Sequence, residues 1–376
     1  MIVHLCKHFR WVGFVGFMVL AAAVPAEIHR NVLLPPGPDN PRNSEGDFIE
    51  LTDGRVMFVY THFTGETSSD HATAHLAARF SADGGMTWTE EDQIVVPNEG
   101  GFNVMSVSLL RLPSGDIGLF YMRKNSLEDC RPVMRISRDE ARTWSEPVEI
   151  ITDQVGYYVL NNDRIVMTSD GRLLCPVALH NTPEYAEPDW EGILMCYLSD
   201  DLGRTWRRSA TTLKGFHDDG SRVLLQEPGV IELGDGRIMM WARTNSGVQY
   251  LSWSEDGGDT WTDPEPSTIP SPRSPASIER LPGRSELVMV WNDISTRTGE
   301  AKQWRSPLTV ALSRDDGATW GPSRTLEDDP AGWYCYTAIE FVEGRVLLAH
   351  CAGIRAQSGL SITQITSFGL DWLLVE

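Results

Sequence analysis

Basic residues are scarce in this 376-residue chain, which has 32 lysines and arginines against 52 aspartates and glutamates. The formal net charge is therefore −20, which favours solubility and repels nucleic acid and anionic membranes. An anionic ligand must then be attracted by a local cluster of arginines that acts against the field of the whole chain. We accordingly expect no nucleic-acid partner.

Cysteine is sparse as well, and its spacing indicates neither a metal site nor a disulfide framework. Cys6 lies in the N-terminal segment discussed below, and the other five cysteines form no C-x-x-C pair. An odd number leaves at least one free thiol, and no bridge can be assigned. The stretch "HATAH" places His71 and His75 four residues apart, but no helix and no third ligand are evident. We expect no metal and no cofactor.

No apolar run is long enough for a comfortable membrane span. The longest, "WVGFVGFMVLAAAV", has about 14 residues and follows Lys7 and Arg10. Small residues come next, which is typical of a secretory signal peptide over residues 1–26, cleaved after Ala26. An uncleaved anchor is the alternative. Cleavage removes two basic residues and no acidic one, so the net charge falls to −22. We predict a secreted or periplasmic protein that does not insert into a membrane after cleavage.

Helical periodicity of useful length is missing throughout the chain. Short runs of β-branched and aromatic residues, such as "GRVMFVYTHF" and "GRIMMWART", follow turn sequences such as "TDG" and "GDG". This pattern indicates an all-β protein. Because no linker or shift in composition divides the chain, we predict one domain over residues 27–376.

One octapeptide pattern, S-x-D-x-G-x-T-W, occurs five times and divides the chain into units. The copies begin at Ser81, Ser137, Ser199, Ser254 and Ser313. Their spacings of 56, 62, 55 and 59 residues indicate one supersecondary unit used repeatedly. The second copy has Ala141 where the glycine belongs. In such a box Ser and Asp can bond the turn backbone, Gly can supply a positive φ, and Trp can pack between neighbouring sheets. We expect these boxes to hold turns and to take no part in chemistry.

The repeat length favours a β-propeller with four-stranded antiparallel blades. Roughly 350 mature residues divided by about 58 gives six blades. Closing the ring protects sheet edges that would otherwise be exposed. We predict that strands near residues 30–60 and the C-terminal segment "LSITQITSFGLDWLLVE" share the last blade and close the ring.

Five such boxes in an exported chain of this size resemble the sialidase superfamily, whose members are six-bladed propellers that cleave terminal sialic acids. The resemblance extends to residues between the boxes. "QEPGVIELGDGRIMMWART" places Glu227 and Arg243 before the fourth box, and "WRSPLTVALSRDDGATW" places Arg305 before the last. "WYCYTAIEFVEG" then matches the family tyrosine with Tyr336, and Asp70 precedes the first box, where the family has its general acid.

The resemblance implies a role for each of these residues. Tyr336 is the expected nucleophile and Glu227 its base, since a tyrosine with a pKa near 10 needs a neighbouring base. A neutral phenol suits a sugar whose anomeric carbon already bears a carboxylate, because a carboxylate nucleophile would be repelled. Asp70 would protonate the departing oxygen. Arg243 and Arg305 would hold the substrate carboxylate in bidentate pairs.

The sequence departs from the family where a third arginine is expected. At that place "NSEGDFIELTDGR" has Glu45, Gly46 and Asp47. The family also has a glutamate later in the chain, and this sequence has His350 and Cys351 there instead. Either Arg42 or Arg164 could substitute for the missing arginine.

Two polar groups outside the family pattern also lie near strand ends. Asn103 and Arg123 belong to one, and Asn162 and Arg164 to the other. These polar residues could simply form turns, in which Asn and Asp are favoured. We predict instead that they line a substrate pocket.

Together these features predict an exo-acting glycoside hydrolase of the sialidase type. Its substrate would be a glycan or glycoconjugate, from which it releases a terminal acidic sugar with retention through Tyr336. Sialic acid is the first candidate. The alternatives are a propeller hydrolase for another acidic sugar (uronic or ketodeoxy) or a neutral sugar, and a propeller that binds glycan without cleaving it.

Overall fold

The structure is a computed structural model that describes residues 28–375. The predicted signal peptide lies outside the described residues. Within them, no helix has the length and apolar character needed to cross a membrane.

The described chain contains little helix and is built from β-strands, nearly all of them paired antiparallel and joined by turns and loops, which confirms the all-β prediction. The N-terminal strand is β1 (His29–Leu34). Sheet 1 consists of β2 (Asn43–Glu50), β3 (Val56–Phe63), β4 (Ala74–Ser81) and β5 (Gln93–Val96). Sheet 2 consists of β6 (Asn103–Arg111), β7 (Ile117–Lys124), β8 (Cys130–Ser137) and β9 (Val148–Glu149). Sheet 3 consists of β10 (Tyr157–Val159), β11 (Val166–Met167), β12 (Leu173–Asn181), β13 (Ile193–Ser199) and β14 (Arg207–Arg208). A parallel pairing of β10 with β8 at Tyr157 and Cys130 joins sheets 2 and 3 into one nine-stranded sheet.

The second half of the chain repeats this arrangement after a short hairpin. The hairpin pairs β15 (Gly215–Phe216) with β16 (Arg222–Val223). Sheet 4 consists of β17 (Gln226–Glu232), β18 (Ile238–Arg243), β19 (Val248–Ser254) and β20 (Glu265–Pro270). Sheet 5 consists of β21 (Ser277–Arg280), β22 (Leu287–Trp291), β23 (Leu308–Ser313) and β24 (Arg324–Glu327). Sheet 6 consists of β25 (Gly332–Val342), β26 (Arg345–Ile354), β27 (Thr363–Gly369) and, at its edge, β1. The helical segments are a 3-10 turn, Gly299–Gln303, and α1 (Leu370–Leu374).

Strand β1 pairs antiparallel with β27, so sheet 6 contains both ends of the described chain. The expectation that residues 30–60 contribute to this sheet is wrong beyond Leu34, because residues 43–63 form β2 and β3 of sheet 1. The prolines in "LLPPGPDNPRN" explain the early end of β1, since a proline has no N–H to donate to a ladder. The C-terminal segment is also a strand only as far as Gly369, after which α1 begins.

Apolar side chains fill the space between neighbouring sheets. Four clusters of buried residues each draw on two sheets that follow one another along the chain, and a fifth draws on sheets 1, 2 and 3. Another cluster joins the last sheet to the first, with Phe58 of sheet 1 and Leu347 of sheet 6 both fully buried. The first strands of sheets 1 and 2, 4 and 5, 5 and 6, and 6 and 1 contact each other. These strands therefore form the inner edge of the assembly.

The boxes hold tight turns at the ends of β4, β8, β13, β19 and β23, which confirms the structural role predicted for them. In the first box, Ser81 Oγ accepts a bond from the Gly85 N–H (2.9 Å), and Asp83 Oδ1 accepts one from the Thr87 N–H (2.9 Å). The Trp88 indole N–H donates to the Gly85 carbonyl (3.1 Å). The serine and aspartate contacts recur in the other four boxes. Each box is thus a local unit that bonds chiefly to itself.

Candidate active site

Four inner strands contain a bulge at which a residue other than glycine adopts a positive φ. These residues are Glu45 in β2 (φ 56°), Ser106 in β6 (60°), Glu227 in β17 (51°) and Tyr336 in β25 (57°). The pairing register shifts at each of these places. A bulge redirects a side chain out of the regular alternation, and left-handed backbone is costly for such residues. The strain is therefore concentrated where four side chains leave the inner strands.

A cavity of about 350 Å³ opens where these side chains meet. Its walls combine carboxylates, cations and aromatic rings. The polar lining comprises Glu45, Asp70, Ser106, Lys124, Asn161, His180, Gln226, Glu227, Arg243, Arg273 and Tyr336. The remaining lining includes Met105, Met122, Tyr157, Tyr158, Trp190 and Leu224. A concave space with converging polar groups is the usual form of a small-molecule site.

Tyr336, Glu227 and Arg243 meet in this cavity as one contacting group. The Tyr336 hydroxyl donates to Glu227 Oε1 (3.1 Å), and Arg243 Nη1 lies 2.8 Å from Glu227 Oε2. Arg243 Nη1 also donates to the Tyr336 oxygen (3.4 Å). Among the described residues, Glu227 Oε2 accepts no aligned hydrogen bond, so its contact with Arg243 is electrostatic. Glu227 and Arg243 come from one segment, the β17–β18 hairpin, and the fold brings Tyr336 to them from a segment about 100 residues further along the chain.

The environment of Tyr336 keeps its phenol protonated near neutral pH. Burial, followed by the negative charge of Glu227, raises the pKa of Tyr336, although Arg243 and Arg305 act in the opposite direction. A neutral hydroxyl that already donates to a carboxylate has a defined acceptor for its proton. The pair can therefore act as a nucleophile and its base.

Two more arginines stand beside Tyr336, of which Arg273 lines the cavity and the predicted binding residue Arg305 does not. The Arg305 guanidinium carbon lies 5.3 Å from the centre of the Tyr336 ring, and Arg305 Nη2 donates to the Arg273 carbonyl (3.0 Å). Burial, together with the like charges of Arg243 and Arg305, lowers the pKa of Arg273. Arg273 lines the cavity and was missed from the sequence, where its position between two prolines just ahead of an inner strand was the available signal.

Arg42 is enclosed and does not line the cavity. Its side chain is 1% exposed, and its guanidinium donates to Ser44 Oγ (2.9 Å), Glu45 Oε1 (2.6 Å) and Asp70 Oδ1. Although burial opposes it, the charges of Glu45 and Asp70 raise the pKa of Arg42. The expected substitute for the missing arginine is thus already occupied by two carboxylates. At the cavity wall, Glu45 lies where the substitute arginine was expected.

The surroundings of Glu45 and Asp70 shift the pKa values of the two carboxyl groups in opposite directions. Burial raises the pKa of Glu45, against the attraction of Arg42, and its other oxygen accepts a bond from the Ser106 hydroxyl. The Asp70 side chain is 57% exposed at the cavity. Burial acts to raise the pKa of Asp70, but the charge and hydrogen bond of Arg42 outweigh it, so this pKa is lowered. Asp70 is therefore ionised in the free protein.

Two predicted binding residues hold the backbone of the site instead of facing the cavity. Asn103 Nδ2 donates to the carbonyl of Asp70 (2.9 Å), and Lys124 Nζ donates to the same carbonyl (2.8 Å). Asn162 Nδ2 donates to the carbonyls of Tyr336 (3.1 Å) and Gly46 (2.9 Å). Both asparagines are fully buried. They position the nucleophile candidate and the acid candidate.

The remaining predicted binding residues lie away from the cavity wall. Arg164 is buried and donates to the carbonyl of Ala276 (2.7 Å), and its guanidinium lies 5.7 Å from the centre of the Trp241 ring. It therefore links sheet 3 to the segment before sheet 5. Arg123 is paired with Glu149 within sheet 2. Within residues 28–375, no group of three His, Cys, Asp or Glu side chains is arranged to bind a metal ion.

Comparisons with known proteins relate this architecture to one group. A family model described as "BNR repeat-like domain" matches residues 102–347. A sialidase of Micromonospora viridifaciens is 27% identical over 365 residues, which cover 88% of this chain and 50% of that protein. A sialidase of Bacteroides fragilis (strain YCH46) is 26% identical over 222 residues, which cover 56% of this chain and 37% of that protein. The chain thus spans half or less of the length of these relatives.

Solved structures share the fold at lower identity. A protein of unknown function from Dyadobacter fermentans matches with a TM-score of 0.69 and 17% identity, covering 92% of this chain and all of the other. Trypanosoma rangeli sialidase matches with a TM-score of 0.67 and 15% identity, covering 92% of this chain and 60% of the other. Together with the antiparallel four-stranded sheets, these likenesses identify the fold as a β-propeller.

Proposed function

Because the chain belongs to the BNR repeat-like family within the sialidase superfamily, we propose that it is an exo-acting glycoside hydrolase that releases a terminal acidic sugar from glycans. Sialic acid is the first candidate for that sugar. The observation that supports this proposal best is the contact of Tyr336 with Glu227, and of both with Arg243, at the cavity wall. Such an arrangement pairs a neutral nucleophile with a base and an adjacent cation.

The proposed reaction proceeds in two displacements with overall retention. Tyr336 Oη attacks the anomeric carbon while Glu227 Oε1 takes the phenolic proton. Asp70 delivers a proton to the departing glycosidic oxygen, and then removes one from the water that attacks the tyrosyl–sugar bond. Because the charge of Arg42 favours ionised Asp70, proton uptake must accompany substrate binding, and we expect the reaction to be fastest on the acid side of neutrality.

We propose that Arg243, Arg273 and Arg305 bind the carboxylate of the sugar. Arg243 and Arg273 line the cavity, and Arg305 stands beside Tyr336 outside that lining. Burial and the like charges of Arg243 and Arg305 lower the pKa of Arg273, and a bound anion would offset that repulsion. Guanidinium groups suit this role because each can donate two parallel bonds to a carboxylate. This set replaces the expectation that Arg42 or Arg164 completes the triad, since those two are bonded elsewhere.

A second candidate function follows from Glu45. The cavity wall has a carboxylate where the family has an arginine, and Arg42 behind it is enclosed. A carboxylate accepts bonds from sugar hydroxyls and repels an anion. A hydrolase for another acidic sugar (uronic or ketodeoxy) or for a neutral sugar is therefore the alternative, and glycan binding without cleavage is the third possibility.

We further propose that the sheets form six blades in a closed ring, in a single domain exported to the cell exterior or periplasm. The buried cluster between sheets 6 and 1 and the pairing of β1 with β27 support closure. Burying the edge of each first strand in this way removes open sheet edges from solvent.

An assay of the purified protein on a panel of aryl glycosides tests the proposal. The panel contains an α-sialoside, a ketodeoxy sugar, a uronide and a neutral hexoside. Turnover of the sialoside that disappears in Tyr336→Phe, with retained configuration in the first product by NMR, supports the first function. Turnover of another glycoside alone selects the second. Failure to cleave any of them, with retained binding to a glycan array, leaves a binding protein.

A further inference from the structure

Two cysteines lie directly opposite each other on neighbouring strands of sheet 6. The antiparallel register of β25 and β26 pairs Cys335 with Cys351, next to the bulge at Tyr336. Opposite residues in such a ladder point to the same face, with Cα atoms about 4.5–5.5 Å apart. Because a disulfide spans Cα separations of about 4.4–6.8 Å, this pair can be bridged without a large movement of the backbone.

The other described cysteines do not share this arrangement. Cys175 in β12 and Cys196 in β13 are one position out of register with each other. Their side chains point to opposite faces, since Cys175 belongs to the buried cluster of sheets 1, 2 and 3, and Cys196 to that of sheets 3 and 4. Cys130 in β8 has no cysteine opposite it. Among the described strands, a directly opposed pair of cysteines therefore occurs only in sheet 6.

The two opposed cysteines lie between two buried arginines. The Cys335 sulfur interacts with the Arg305 guanidinium and with the Cys351 thiol, and Cys351 lies in the field of Arg42. Although burial opposes it, the bond from Cys351 and the charge of Arg305 lower the pKa of Cys335. The bond to Cys335, followed by burial, raises the pKa of Cys351. One sulfur thus has thiolate character and the other keeps its proton, as in a reactive thiol beside a resolving thiol.

We propose that Cys335 and Cys351 are a redox-active dithiol, which hydrogen peroxide converts to a cross-strand disulfide. The Cys335 thiolate attacks one peroxide oxygen and the O–O bond breaks, which gives a sulfenic acid and a hydroxide that takes up a proton to become water. The Cys351 sulfur then attacks the sulfenic sulfur and gives its proton to the departing hydroxide, so that a second water leaves. Overall, the two thiols lose two electrons and two protons, and one peroxide becomes two waters. Because both thiols are only 1% exposed, the oxidant has to be small.

The oxidation state of this dithiol affects Arg305, which stands beside Tyr336. Although burial opposes it, the charge of Cys335, ahead of those of Tyr336 and Glu227, raises the pKa of Arg305. A disulfide carries no charge, so oxidation removes the negative charge of Cys335 from beside this buried guanidinium. The consequence for binding rests on the proposed function, in which Arg305 helps to bind the carboxylate of the sugar. The oxidised protein then binds an acidic sugar more tightly than the reduced protein does.

Peptide mapping tests the dithiol without reference to activity. The folded protein is reduced with a phosphine, separated from the phosphine, treated with hydrogen peroxide, and then alkylated in denaturant and digested. We expect one peptide pair cross-linked through Cys335 and Cys351, with the loss of two hydrogen atoms, and recovery of both thiols when the phosphine is added again. Unmodified thiols, a sulfinic acid at Cys335 without a cross-link, or a cross-link between other cysteines would overturn the proposal.

Two variants separate the roles of the sulfurs in this mapping. Cys351→Ala removes the resolving thiol, so the sulfenic acid at Cys335 should accumulate and be trapped by dimedone. Cys196→Ala is the matched control, because Cys196 is equally buried but lies in sheet 3, and this variant should cross-link as the wild type does. A Cys351→Ala protein in which dimedone labels no cysteine would contradict the assignment of Cys335 as the reactive thiol.

Steady-state kinetics test the effect on the site. On an acidic aryl glycoside that the wild type cleaves, KM should be about tenfold lower for the oxidised than for the reduced protein, because Arg305 loses a competing charged partner. Cys335→Ala lacks the sulfur charge and cannot cross-link, so it should have the low KM before and after peroxide. Met105 and Met122 line the cavity, and a phosphine does not reverse their oxidation, so reversal of the KM change by the phosphine assigns it to the dithiol.

The two measurements keep failure of the dithiol apart from failure of the proposed function. Equal KM values for the reduced and the cross-linked protein would reject the effect on Arg305 and keep the dithiol. Cross-linking in a protein that cleaves no aryl glycoside would keep the dithiol and count against the proposed function. Turnover without cross-linking would keep the proposed function and reject the dithiol.

Discussion

Replacing Glu227 by glutamine changes the proposed base without changing its shape. The amide oxygen can still accept a bond from the Tyr336 hydroxyl, now 3.1 Å from Glu227 Oε1, but an amide does not take the phenolic proton. The amide nitrogen would also face Arg243 Nη1 in place of an oxygen at 2.8 Å. Positioning of the nucleophile is thus largely retained while the proton acceptor is lost.

The size of the effect follows from these contacts. Loss of a general base costs about 10²- to 10⁴-fold in rate, or roughly 3–5 kcal/mol in the activation barrier. Glu227 and Arg243 have side chains only 9% and 11% exposed, so breaking the pair also destabilises the fold, by up to about 3–5 kcal/mol. The cost should be toward the lower end, because Gln226 Oε1 still accepts a bond from Arg243 (2.6 Å).

The assay measures kcat/KM and the free energy of unfolding for Glu227→Gln, Tyr336→Phe and the double variant on whichever aryl glycoside the wild type cleaves. Substitutions of residues that act together have non-additive effects on the rate, so kcat/KM of the double variant should be little lower than that of either single variant. Glu232→Gln provides the matched control, since Glu232 lies at the other end of β17 and bonds Ser169 (2.8 Å). A Glu227→Gln protein with nearly wild-type kcat/KM would refute the assignment of the base.

Three further predictions concern the scaffold. Trp261→Ala should lower the free energy of unfolding by about 3–5 kcal/mol, because the indole is 8% exposed within a buried cluster, and unchanged stability in a urea titration would contradict the role given to the boxes. Gly203→Ala should cost about 1–3 kcal/mol more than Gly115→Ala in the same titration, because both have φ near +85° but a Cβ meets a methionine sulfur at 2.2 Å only at Gly203. Burial raises the pKa of Asp163 to about 6 and that of Glu340 to about 7, whereas carboxyl groups in the unfolded chain have a pKa near 4. Between these pH values the folded state binds more protons than the unfolded state, so the free energy of unfolding should fall as the pH rises from about 4 to 7. Asp163→Asn and Glu340→Gln should each reduce this dependence of the free energy of unfolding on pH. An unchanged dependence in either variant would show that the substituted carboxyl group does not cause it.

The architecture could be predicted from the sequence because its signal is local and repeated. Each box encodes its turn within eight residues, as the contacts of Ser81 and Asp83 illustrate. The meeting of Tyr336 and Glu227 could also be anticipated, since a family resemblance fixed their order along the chain and the fold supplied the geometry. The end of β1 was less predictable, because prolines end this strand earlier than the pattern of strand-forming residues indicates.

The arginines of the site could not be assigned from the sequence, for an electrostatic reason. A buried arginine whose guanidinium is enclosed by carboxylates of the protein, and which does not line the cavity, is not available to a ligand. Arg42 is taken by Glu45 and Asp70, which lie 3 and 28 positions away along the chain. Arg273 has no such partner among the described ion pairs, yet its surroundings depend on Arg305, which comes from a distant strand. Such competition is decided by the tertiary fold alone.

The bulged inner strands also affect how the site can change over evolutionary time. Glu45, Ser106, Glu227 and Tyr336 each belong to a different strand, and each leaves its strand at a kink that the rest of that sheet supports. A substitution at one kink alters one wall of the cavity and leaves the supports of the other walls intact. Under the proposed function, selectivity for a new sugar can therefore be acquired one wall at a time, while Tyr336 and Glu227, the proposed nucleophile and base, remain in register.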